Sequence, residues 1–132
     1  MIEKLFDLAK QVHSHAYAPY SKYPVAVALL TETGNYYQGC NVENASYGLT
    51  QCAEASAIGQ MITTEGNVKI DKLLVLAISK QPCTPCGACR QRIQEFATAK
   101  TMIWTANPQQ ILTSFKFSSL FPYSFSSEHL EV

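Results

Sequence analysis

Two unbroken apolar runs, residues 25–30 (Val-Ala-Val-Ala-Leu-Leu) and 73–78 (Leu-Leu-Val-Leu-Ala-Ile), set the first constraint on how this chain can fold. A strand with one wet face alternates apolar and polar residues, and these runs have no polar position to turn toward water. Each is therefore expected as a central strand covered on both faces. At 132 residues the chain has room for one such layered body, so a single domain over residues 1–132 is expected. A hydrophobic fraction of 47% against 15% charged residues is enough to fill its core and excludes intrinsic disorder.

The flanking patterns supply the covering layers. Leu5, Leu8, Ala9, Val12 and Ala16 recur at helical spacing, which predicts a helix ending before Pro19. Thr33-Gly34-Asn35 is a turn signal that folds residues 36–40 back beside the first run as a hairpin. Thr50 is the predicted N-cap of a second helix, which carries Ala53, Ala57, Ile58, Met61 and Ile62 to a stop at Gly66. A third helix begins near Gly87, with Ile93, Phe96 and Ala97 on its apolar side and Arg90, Arg92 and Gln94 off it. Residues 102–105 and 111–117 read as weaker strands around Asn107-Pro108. Strands separated by helices in this order predict an α/β fold with a mixed sheet and helices on both faces. Ligands of such sheets sit at the carboxyl ends of strands, where both cysteine-bearing segments start helices.

Charge and hydropathy remove several function classes. Ten Lys and Arg balance ten Asp and Glu, so the basic footprint of a protein bound to nucleic-acid phosphates is missing. No apolar run approaches the roughly 20 residues that span a bilayer. Glu3, Lys4, Asp7 and Lys10 interrupt the N-terminus, unlike a secretory signal. Neither a nucleic-acid nor a membrane partner is expected, and the expected location is the cytoplasm.

The chain has five cysteines, and three of them fall in Pro82-Cys83-Thr84-Pro85-Cys86-Gly87-Ala88-Cys89. An odd count without a secretory signal argues against a disulfide framework. Cys40, standing alone, reads as a small buried hydrophobe. A Cys-x-x-Cys by itself is open to zinc binding, redox exchange or coincidence. Both Cys83/Cys86 and Cys86/Cys89 fit the short pattern. The second pair is favoured because Gly87-Ala88 runs on into helix-compatible sequence, whereas Pro85 inside the first pair interrupts a helix. An iron–sulfur cluster at this spacing lacks the cysteine it requires where Ile93 stands. Cys52-Ala53-Glu54, at another helix start, offers a third sulfur. Cys52, Cys86 and Cys89 then make a three-ligand tetrahedral site with one position free, as in catalytic rather than structural zinc sites. Glu54 would stand beside that position as an acid–base group. Its bland alternative is a first-turn acid that complements the helix dipole.

Cys52-Ala53-Glu54 together with Pro85-Cys86-Gly87-Ala88-Cys89-Arg90-Gln91 resembles the signature of zinc-dependent nucleoside and nucleobase deaminases, including their all-cysteine variant. The flanking segments narrow the resemblance to small, homotetrameric cytidine deaminases. They are Tyr20-Ser21-Lys22-Tyr23-Pro24-Val25, Gly39-Cys40-Asn41-Val42-Glu43-Asn44-Ala45-Ser46-Tyr47-Gly48-Leu49-Thr50 and Phe121-Pro122-Tyr123-Ser124-Phe125. The resemblance covers nearly the whole chain. It implies a three-layer α/β/α fold with a mixed five-stranded sheet, and hydrolytic deamination of cytidine and deoxycytidine in pyrimidine salvage. It implies zinc on Cys52, Cys86 and Cys89, with Glu54 as proton shuttle. Asn41 and Glu43 would hold the ribose hydroxyls, while the main chain near Ala53 and Thr84 reads the pyrimidine edge. Phe125 would enter a neighbouring subunit's site and stack on the base, and Tyr23 stands where the family commonly has Phe.

The chain departs from the family at two places. Ala55 follows the glutamate where the family usually has an Arg that bonds a zinc-bound thiolate. Compensation is expected from the two helix N-termini and from Arg90. The short Asn107-Pro108-Gln109 connection replaces a longer turn. Blasticidin S deaminases, a related subgroup, also lack that Arg and still deaminate. Two alternatives therefore stand beside cytidine: another amino-pyrimidine nucleoside or analogue, and a non-catalytic zinc-stabilised scaffold.

Overall fold

In the computed structural model, which describes residues 1–130, both apolar runs lie inside one five-stranded sheet. Chain order is α1 (Ile2–His13), β1 (Val25–Thr31), β2 (Tyr36–Cys40), α2 (Ala53–Glu65), β3 (Ile70–Ala77), α3 (Gly87–Gln94), β4 (Ala97–Ala106), β5 (Ile111–Lys116) and α4 (Phe117–Leu120). The sheet order is β2-β1-β3-β4-β5. β3 and β4 pair in parallel, and the other neighbours are antiparallel. The expected three-layer α/β/α arrangement with a mixed sheet is present.

Alternation along the buried strands divides the core. Val27, Leu29, Leu73, Val75 and Ile103 face Ala57, Ile58 and Met61 of α2 and Ile93 of α3. Ala26, Ala28, Leu30, Leu74 and Leu76 face Leu5 and Ala9 of α1. Burial of both faces at about 25 cal/mol per Å2 is the main stabilising force on such a sheet. Among the described residues no helix is long and apolar enough to cross a membrane.

Four local expectations are corrected by the structure. The first helix stops at His13 rather than running to Ala16, because His13 Nε2 turns to the Pro24 carbonyl at 3.1 Å and Tyr17 N–H bonds the Asn41 carbonyl at 3.0 Å. Cys52, not Thr50, is the N-cap of α2. Gln51 is drawn into a two-way backbone exchange with Val42, which delays the helix. Ala97 begins β4 instead of lying on a helix, since the Ile70 N–H claims the Phe96 carbonyl at 2.8 Å. Phe117 opens α4 with its side chain buried, rather than ending β5.

α2 is held at both ends against the hairpin. Near its C-terminus, Glu65 accepts hydrogen bonds from the Thr33 hydroxyl and, at 2.8 Å, from the Tyr37 hydroxyl. The Thr33 bond, then the Tyr37 bond, keeps its carboxyl below the usual range. At the other end α2 lies directly on β2 at Gly39, where a Cβ would stand 2.5 Å from the Ala57 nitrogen and 2.8 Å from Ser56 Cβ. No side chain fits between them. Gly39→Ala is expected to destabilise the fold by about 3 kcal/mol in urea unfolding, at the upper end of overpacking costs; wild-type stability would contradict this close approach.

Candidate active site and metal centre

β1 begins at the end of the sheet where β2 and β3 finish, as the pairs Val25↔Ala77 and Ala26↔Cys40 show. From that end the chain enters α2 and α3, so two helix N-termini open onto one place. Cys52 is the N-cap of α2 and Cys86 the N-cap of α3, and neither position has a side-chain capping bond. Cys89 follows inside α3, 1% exposed. The three Sγ atoms lie within 4.8 Å of one another. Cys83 is not in this trio; its sulfur accepts the Tyr23 hydroxyl at 3.7 Å.

A cavity of about 190 Å3 opens over the sulfurs, with Glu54, Asn41 and Cys83 in its wall. Glu54, in the first turn of α2, is 5% exposed. Burial pushes its carboxyl above the ordinary range, opposed by its own backbone N–H, the Cys89 thiol and the charge of Arg92. Burial pushes the Cys89 thiol far up as well, and Glu54 and the other two sulfurs add to the effect. Three thiols packed this closely beside a carboxyl lose their protons together only if a cation takes their place. Thiolate sulfurs in a group of three suit a borderline-soft dication, and the donor set fits zinc.

The remaining candidate residues divide into those at the cavity and those beside it. Asn41 ties down the start of β1, its Oδ1 accepting the Val25 N–H at 3.0 Å and its Nδ2 donating to the Tyr23 carbonyl at 3.0 Å. Glu43 faces an adjoining pocket of about 260 Å3, which shares Thr50 with the sulfur cavity. There it accepts the backbone N–H groups of Tyr20 and Ser21 at 3.0 and 3.1 Å and the Ser21 hydroxyl. The Ser21 hydroxyl is the main reason its carboxyl lies below the usual range. Ala53 is buried as the first residue of α2. Thr84 Oγ1 accepts from Arg90 Nη2 at 2.9 Å. Phe125 is 53% exposed and stacks on His129, ring centroids 5.5 Å apart, away from this chain's sulfur cavity.

Arg90 does not reach the sulfurs as expected. Its guanidinium is spent on the Pro85 and Leu120 carbonyls and on Thr84. The cation at the cluster is Arg92, whose Nη1 donates to Cys89 Sγ at 3.8 Å. Sequence reasoning passed over Arg92 and Ser21. For Arg92 a signal existed: it lies three residues beyond Cys89, and helical side chains lean toward the N-terminus.

An acid held beside three sulfurs at two helix tips defines a metal-dependent acid–base site on an α/β sheet. Comparison with known proteins identifies which one. The cytidine and deoxycytidylate deaminase zinc-binding region matches residues 1–105. A cytidine deaminase of Sporosarcina psychrophila is 40% identical over 129 residues, covering 98% of this chain and 94% of its own. One from Mycoplasma pneumoniae is 41% identical over 119 residues, 89% of each chain. The crystal structure of cytidine deaminase from Burkholderia pseudomallei superposes with a TM-score of 0.88 at 35% identity, covering 95% of this chain and 99% of that one. This chain belongs to the zinc-binding cytidine and deoxycytidylate deaminase family.

Proposed function

We propose that this protein is a zinc-dependent cytidine deaminase, which converts cytidine or deoxycytidine and water into the corresponding uridine and ammonia. The observation that carries the reading is Glu54, a buried carboxyl at the edge of a cavity whose floor is three clustered sulfurs. A structural metal site has no use for such an acid. Relatives 39–41% identical over most of this chain's length are themselves named cytidine deaminases.

Cys52, Cys86 and Cys89 are the residues that would hold zinc, which when bound supplies a Lewis acid able to make water nucleophilic near neutral pH. The chain's own contribution is proton management and orientation. Glu54 takes the proton that water gives up and delivers it to ring nitrogen 3 as attack occurs at carbon 4. It then takes the remaining proton from the new hydroxyl on carbon 4 and passes it to the amine, which leaves as ammonia when the carbon 4 carbonyl forms. Burial lifts the Glu54 carboxyl above its usual range, which favours its holding a proton between the two transfers. Asn41 and Glu43 hold the ribose hydroxyls, and the hydrogen bonds on both side chains keep them oriented. The main chain at Ala53 and Thr84 reads the pyrimidine edge, and Tyr23 borders the ring.

The reading extends to one domain over residues 1–132, acting as a homotetramer in cytoplasmic pyrimidine salvage. Exposed Phe125, Tyr47 and Leu49 support assembly with copies whose Phe125 closes a neighbouring site. Five free thiols suit a reducing compartment.

Ammonia release across cytidine, deoxycytidine and free cytosine, with metal analysis of the same sample, tests the proposal. Turnover of both nucleosides, little with the free base, and one zinc per chain are expected. Full zinc with no ammonia from either nucleoside would contradict it. Glu54→Gln is expected to keep zinc and fold while losing about a hundred- to ten-thousandfold in kcat, the usual worth of a general acid–base group. A near-normal rate would remove Glu54 from its role.

A further inference from the structure

The charge balance of the sulfur cluster points to a residue that motif and spacing pass over. Three ionised thiols around one dication leave a net charge of about −1, and Glu54 adds a carboxyl to the same cavity. Two helix N-termini offset part of this. Of the two arginines of α3, Arg90 is engaged by the Pro85 and Leu120 carbonyls and by Thr84. Arg92 is free of such ties, and among the described residues it takes part in no ion pair. Its guanidinium donates to Cys89 Sγ at 3.8 Å.

Space for that contact comes from the other helix. Arg92 and Ala55 line the same groove between α2 and α3, together with Ile58 and Gly59. Ala55 stands in the first turn of α2, three residues after Cys52, and its methyl leaves the groove open beside the cluster.

We propose that Arg92 is a positioning residue for the metal centre: its guanidinium holds the Cys89 thiolate and draws electron density from it, and Ala55 is small enough to admit it. A sulfur that donates less strongly leaves the metal more electrophilic. The proposal rests on the metal-centre reading above. A competing role is available, because Arg92 lies in the last turn of α3, where any cation complements the helix dipole. That role needs charge at the helix end and nothing at the sulfur.

Cobalt-substituted protein separates the two through the sulfur-to-cobalt charge-transfer absorption, measured beside kcat/KM for cytidine. For Arg92→Leu the band is expected to move to longer wavelength, with one metal per chain retained and kcat/KM lowered about ten- to a hundredfold, the usual loss when a partner of a metal ligand is removed. Arg92→Lys keeps the charge but loses the planar fork, so it too is expected to shift the band, whereas a helix-dipole role leaves it in place. Adding Ala55→Arg to Arg92→Leu returns a guanidinium to the groove from α2 and is expected to restore the band and most of the rate. An unmoved band and unchanged kcat/KM in both Arg92 variants would overturn the proposal while leaving the metal reading intact. Failure of the unsubstituted chain to show any sulfur-to-cobalt band would overturn both.

Discussion

Cys52 and Cys86 cap the N-termini of α2 and α3, and Cys89 stands three residues further on, so negative charge on the trio lies at the positive ends of two helix dipoles. Neither cap position has a side-chain capping bond, which leaves the backbone donors of both first turns to the sulfurs. Everything else in the site is arranged around these three sulfurs. Glu54 shares the first turn of α2 with Cys52, and Arg92 leans back along α3 to Cys89. The two helices therefore provide three sulfurs, an acid and a cation within a few residues of their tips.

The tips meet because the sheet leaves them no other place. α2 and α3 cover the same face, packing against Val27, Leu29, Leu73 and Val75. Gly39 sets how deeply α2 seats on β2, and Glu65 fastens its far end to the hairpin. The segment before α2 is kept in line by the Val42–Gln51 exchange and by Asn41, whose amide bridges the Tyr23 carbonyl and the Val25 N–H. A polar residue in a loop thus serves the scaffold here, and the same anchoring leaves its neighbour Glu43 oriented over the adjoining pocket.

Much of this could be seen in the sequence because it is written in strong local signals. Unbroken apolar runs have no stable place except between two layers, so β1 and β3 were legible, and Gly66 stops α2 with a positive φ of 81°. The spacing of Cys52, Cys86 and Cys89 likewise carried the cluster. What escaped depended on partners distant in the chain. Thr50 has good capping chemistry, but the backbone bonds between Gln51 and Val42 override it. Ala97 is neutral in propensity and joins the sheet because Ile70 pairs with it. Arg90 stands immediately beside Cys89, yet on a helix adjacent residues point apart, and Arg92 is the one on the sulfur's side.

Zinc K-edge X-ray absorption on the purified protein tests the central claim, a three-sulfur centre with its fourth position left to a light atom, most directly. The account predicts three sulfurs at about 2.3 Å and one oxygen or nitrogen at about 2.0 Å. Four sulfurs, which would bring Cys83 into the site and close it, or a folded protein that binds no zinc at all, would contradict it.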